Sequence, residues 1–287
     1  MTGIGSIWRN EAWERTRAVD PWRRPPSRTP EARVVITVLP EPSPTLVALF
    51  VTLPLLVAGA LPALVYRAER RLRRTEARAR RTAWRTALAA AAWMAVTGAI
   101  AASGQLSFER TPPTGMLIFP VVGALGLGIG LSGIGRRLAA LPVATLVALQ
   151  AFRLPLELAM HQAYVEGLMP VQMSYSGRNL DIVTGASALL LAPLVARGLA
   201  PRWAVSAWNA MGIVLLANVL AIAAMSTPTA LRVFHDAPAM VFVTRFPFVW
   251  LPAVLVVTAI YGHVVVFRAL ARESRRESAR VSDPITA

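Results

Sequence analysis

The chain has 287 residues, 55% of them hydrophobic, a mean hydropathy of +0.51, and a formal net charge of +15 carried entirely by Arg, since it has no Lys. Apolar content on this scale, gathered into long runs, excludes an ordinary soluble domain and points to an all-α integral membrane protein. The absence of Cys excludes disulfides, thiolate haem and cysteine-held clusters, and the absence of Lys excludes a retinal linkage.

Residues 1–43 hold seven Arg, three Trp and several Pro. This composition predicts a polar tail, disordered or lying on the membrane surface, with the start of translation expected further downstream. Seven apolar stretches follow, at 44–66, 86–103, 114–134, 138–161, 180–197, 203–225 and 239–267. Each is long enough to cross roughly 30 Å of hydrocarbon, the fifth only just. The expectation is a single bundle of seven transmembrane helices over 44–268, with a basic loop at 67–85 and a polar tail at 269–287.

The connection after the first stretch carries Arg67, Arg70, Arg71, Arg73, Arg74, Arg78, Arg80, Arg81 and Arg85 against two Glu. Such a connection stays in the cytoplasm. The later arginines agree: Arg136, Arg137, Arg197, Arg202 and Arg268 fall on the same side, whereas the opposite side has Arg110, Arg178 and Arg232. The N-terminus is therefore expected outside and the C-terminus inside, in a bacterial inner membrane. Topology accounts for the positive charge; the lipid bilayer is the expected partner and nucleic acid is not.

The third stretch contains Gly128, Gly130 and Gly133 in a G-x-G-x-x-G spacing. A dinucleotide fingerprint needs a preceding strand, so this reading fails. Gly126 and Gly130 instead form a small-xxx-small face, a possible contact for a neighbouring or partner helix.

The fourth stretch holds Arg153, Glu157 and His161, four residues apart and hence on one helical face. Isolated charges in a span cost about 2.5–3.5 kcal/mol each, so they face the protein interior and find partners. The bland reading is an Arg153–Glu157 pair, with Asn218 as a hydrogen-bonding neighbour. The functional reading is a pocket open to the outer side, where Arg153 or Arg245 holds an anion and Glu157 or His161 exchanges a proton. Pro155 lies between the charges and withholds a backbone donor there. Arg178, Asn179 and Asp181 then open the fifth stretch, where Asn179 and Asp181 suit a helix cap. His263 is expected about 35 Å away, near the cytoplasmic end of the last stretch. No HExxH or paired-histidine spacing is present, and no G-x-S-x-G marks a nucleophile. Neither a metal nor a cofactor is expected.

At FRLPLELAMHQAYVEGLMPVQMSYSGRNLDIVTG, AWNAMGIVLLANVLAIAAMSTPT and RFPFVWLPAVLVVTAIYGH, the chain resembles a group of bacterial seven-span polytopic membrane proteins. The likeness spans residues 45–270, and its most specific part is a Phe-Arg…Glu…Gly-Arg-Asn-x-Asp pattern. Arg153, Glu157, Gly177, Arg178, Asn179 and Asp181 match it, whereas Ser176 and Leu180 stand where the group is expected to have a carboxylate and an aromatic. The resemblance implies the architecture and carries no chemistry.

The leading expectation is thus a protein that binds or transports a small solute or ion at Arg153, Glu157, His161, Arg178, Asp181, Asn218 and Arg245. The alternatives are an intramembrane enzyme, either with Glu157 and His161 as acid and base or a metal-assisted hydrolase, and a non-catalytic assembly protein using span three and the basic loop as contact surfaces.

Overall fold

The computed structural model describes residues 39–235 and 237–282, and expectations for residues 1–38, Asp236 and 283–287 lie outside them. Among the described residues the regular secondary structure is all helical, without strands. The helices are α1 (Pro44–Arg71), α2 (Glu76–Ala102), α3 (Ile118–Leu131), α4 (Gly133–Leu138), α5 (Val143–Leu149), α6 (Arg153–Val165), α7 (Ile182–Ala196), α8 (Arg202–Ser226) and α9 (Val257–Ser282). Six helical stretches are long and apolar enough to cross a membrane: Pro44–Arg71, Glu76–Ala102, Thr114–Leu131, Val143–Val165, Arg202–Ser226 and Leu251–Ala279. The chain is a multi-pass membrane protein in character. The shorter apolar helix α7 has 15 residues, or about 22 Å at 1.5 Å per residue.

The stretch Leu251–Ala279 is central, packing on α3, α5 and α8. Gly126 and Gly130 make its contact with α3 possible: a Cβ on Gly126 would lie 2.7 Å from Ile260 Cβ, and one on Gly130 2.8 Å from Val264 Cβ. The small-residue face is therefore occupied by α9 of the same chain. Across one end of the bundle Arg137 Nε pairs with buried Glu69 Oε1 at 2.7 Å, and Arg268 Nη1 donates to Gly130 O at 2.5 Å. We call this the arginine-rich end. At the opposite end Glu166 accepts from Ser43 N and Ser43 Oγ at 2.8 and 2.7 Å, tying α6 to the start of α1. Slight burial pushes the Glu166 carboxyl up, but the bonds from Ser43 and Gln162 outweigh it and hold the group below the usual carboxylate range.

Several expected boundaries move. The basic segment 67–85 is not a loop: α1 runs on to Arg71 and α2 starts at Glu76, leaving a tight turn in which Arg73 takes a positive φ of 56°. Thr75 accepts from Arg78 N, and Glu76 pairs with Arg80 one turn on, so the helix starts early. Likewise α9 continues through the expected tail to Ser282, with Arg202 reaching Leu270 O and, at 3.0 Å, Glu277. The fourth crossing starts at Val143 rather than 138, because the chain turns at 139–142 and Pro142 precedes the helix. The last starts at Leu251 rather than 239: Pro247 precedes it and Pro252 sits in its first turn, where a missing N–H costs nothing. Its opening Leu251–Val256 is a π-helical stretch, and Trp93 Nε1 donates to Ala253 O at 2.8 Å.

Candidate functional site

Recounting depth from these boundaries brings distant residues level. Arg153 is ten residues into the stretch that rises from the arginine-rich end, about 15 Å along it. His263 is twelve residues into the stretch that descends from the opposite end, about 18 Å. The two meet: Arg153 Nη1 donates to His263 Nε2 at 2.7 Å. The expected separation of His263 from the Glu157 and Asp181 side of the bundle is corrected, its error lying in the starts assigned to the fourth and last spans.

Arg153 is 1% exposed and turns its other side to Asp181, with Nε donating to Oδ2 at 2.6 Å and Nη2 in ion-pair contact with the same oxygen. It does not pair with Glu157, the bland expectation. An Arg placed before a Glu at i, i+4 is the weaker order, and Asp181 offers a better-placed carboxylate. Guanidinium can only donate, so His263 Nε2 is an acceptor and the imidazole is neutral. Its Nδ1–H then donates to Asn209 Oδ1 at 2.8 Å, and Asn209 Nδ2 returns a bond to His263 O at 3.0 Å.

Glu157, also 1% exposed, accepts from Asn179 Nδ2 at 2.7 Å. Asn179 Nδ2 also reaches Met173 O at 2.9 Å, while its Oδ1 accepts from Asp181 N at 3.0 Å. The capping expectation is thus met in part: Asn179 holds the entrance of α7, but the Asp181 side chain serves Arg153 and Thr184 Oγ1 rather than the helix end. A continuous chain runs from Glu157 through Asn179, Asp181, Arg153 and His263 to Asn209.

Short α7 explains how such groups stay inside. Its N-terminus lies within the bundle, and the preceding segment folds inward, burying Leu168, Met169, Met173, Ser174 and Asn179. Irregular backbone at this depth is tolerated when protein encloses it. Glycines let the parts close up. A Cβ on Gly185 would meet Arg153 C and Leu154 Cα at 2.9 Å; one on Gly212 would meet His263 Nε2 at 3.0 Å; one on Gly262 would run into the Gln150 amide. Gln150 is itself fully buried, and its Oε1 lacks a hydrogen-bond partner. Gln150–Phe152 is a 3-10 turn leading into α6, and Pro155 falls in the first turn of that helix, where a missing N–H is tolerated.

His161 continues the α6 face one turn beyond Glu157. It is half-buried, stacks on Tyr175 at 4.5 Å between ring centres, and bonds through Nδ1 to Ser174 Oγ at 2.8 Å and Ser176 Oγ at 3.3 Å. Three expected members lie elsewhere. Asn218 donates to Arg178 O at 2.9 Å; nine residues from Asn209, or two and a half turns, it faces the other side of α8. The exposed Arg178 guanidinium lies 5.7 Å over the Phe234 ring, and exposed Arg245 sits in the turn before Leu251. His263, Asn209, Thr184 and Gln150 were not foreseen; the available signal was a polar side chain inside an apolar run. No described group of three or more His, Cys, Asp or Glu could hold a metal ion.

With two carboxylates, one guanidinium and a neutral imidazole, the cluster has one more acid than base. One added proton or monovalent cation makes it neutral. No family model, curated protein or solved structure matches this chain.

Proposed function

We propose that this chain is a seven-span bacterial inner-membrane transport protein, N-terminus outside and C-terminus inside, that takes up and passes on a small ion, the proton, at Glu157. The observation that carries the reading is the charge count of the buried cluster. Arg153 is committed to Asp181, so Glu157, held by the neutral amide of Asn179, has no cation of its own. A buried carboxylate in that position is stabilised by accepting a proton, and ionisable groups inside a span mark ion paths and proton relays. A helix that begins inside the bundle, as α7 does, is a common way for transporters to build a site. The segment leading into α7 supplies the length this helix lacks, which supports the seventh crossing. The orientation rests on the arginines collected at one end.

Proton flux in vesicles tests it. Purified protein in liposomes holding a pH dye, under a proton gradient and a clamped potential, is expected to move protons in proportion to protein content. Glu157→Gln keeps the Asn179 contact but cannot ionise, and should lower the flux at least about tenfold. Equal flux from wild-type, Glu157→Gln and protein-free vesicles contradicts the proposal.

A further inference from the structure

We infer that His161, with Ser174 and Ser176, is a proton relay linking Glu157 to the bundle end opposite the arginines, an inference that rests on the proton-carrying role of Glu157. Its basis is a graded path. Ser176 is exposed, His161 is half-buried and Glu157 is enclosed. His161 Nδ1 lies 3.3 Å from Ser176 Oγ and 2.8 Å from Ser174 Oγ, and those two hydroxyls are 3.1 Å apart. His161 and Glu157 are one helical turn apart on the same face, where Cβ atoms lie about 5–6 Å from each other. Beyond Glu157 the chain of bonds leads through Arg153, which cannot give up a proton, to neutral His263 and Asn209. In this conformation exchange is therefore open on the Ser176 side and closed on the other, and release to the other side follows a change of conformation.

The groups facing this path are few. Around His161 they are Ser174, Ser176, Tyr175 and, at 5.8 Å, Tyr164. Around Glu157 they are Asn179, with Asp181 and Arg153 acting through charge. In the step itself a proton from outside water reaches Nδ1 along the serine hydroxyls, giving an imidazolium. The Nε2 proton then passes to a Glu157 oxygen, leaving a neutral imidazole and a neutral carboxyl. No net charge is made inside the bundle: one proton enters and one surplus negative charge disappears. Imidazole suits this role because it can take a proton on one ring nitrogen and give one up from the other.

The vesicle flux assay decides it. His161→Ala should slow proton flux at least about tenfold, and imidazole added to the medium should restore part of the rate. Ser174→Ala should slow it several-fold, and it carries the test if the histidine variant fails to insert. Wild-type flux in either variant overturns the relay while leaving Glu157 as the carrier. A slowed rate that imidazole leaves untouched marks a structural role for the ring and also overturns it. Flux that Glu157→Gln leaves unchanged removes the carrier and the relay together.

Discussion

At the scale of single residues, the interior is organised around one guanidinium. Arg153 can only donate: its Nε bonds Asp181, its Nη1 bonds His263, and its Nη2 lies in ion-pair contact with Asp181. Removing one partner of such a pair strands the other in a low-dielectric interior, at a cost of about 3–5 kcal/mol. Arg153→Met and Asp181→Leu should each destabilise the detergent-solubilised protein by that order, seen as a lower thermal midpoint. The double variant should lose much less than the two losses added. Additive losses would show that the pair is not coupled. The helical spacing of Arg153, Glu157 and His161 made their common face legible before any coordinates, because i, i+4 spacing is a property of the chain alone. Which carboxylate Arg153 would choose was not legible. It depends on how far α7 begins inside the bundle, which no local pattern encodes.

At the scale of elements, the largest departure of the structure from the sequence pattern is one of depth. Hydropathy locates a span but not its first residue, and the site depends on depth. Counting the last span from 239 rather than Leu251 moved His263 about 18 Å along its helix, enough to separate it from Arg153. The prolines that set the true start, Pro247 and Pro252, were visible, but their effect depends on the turns around them. Asn218 falls outside the cluster for another reason: it is on the side of α8 opposite Asn209. The arginines at 67–85 were read correctly as one basic end but wrongly as a loop, since helix continues on both sides of the turn. The orientation this implies can be checked directly, because the chain has no Cys and any introduced thiol is unique. In intact spheroplasts a membrane-impermeant maleimide should label Glu109→Cys and spare Arg78→Cys until the membrane is opened. The reverse pattern would invert the topology.

At the scale of the whole molecule, helices from four parts of the chain bury a polar chain that no single element could keep out of lipid. Close approach at Gly185, Gly212 and Gly262 encloses it, and the segment before α7 closes it from the end opposite the arginines. Such an arrangement is costly as mere adhesion between helices, since apolar side chains of similar volume often pack as well or better. It is economical as a place to hold one exchangeable charge. The account therefore stands on the protonation of Glu157, and infrared difference spectroscopy of the protein in lipid measures that directly. Between alkaline and acidic pH the wild-type spectrum should gain a carboxylic-acid C=O band at the expense of a carboxylate, with a shift in D2O, and Glu157→Gln should lack that band. Identical difference spectra from the two proteins would contradict the account.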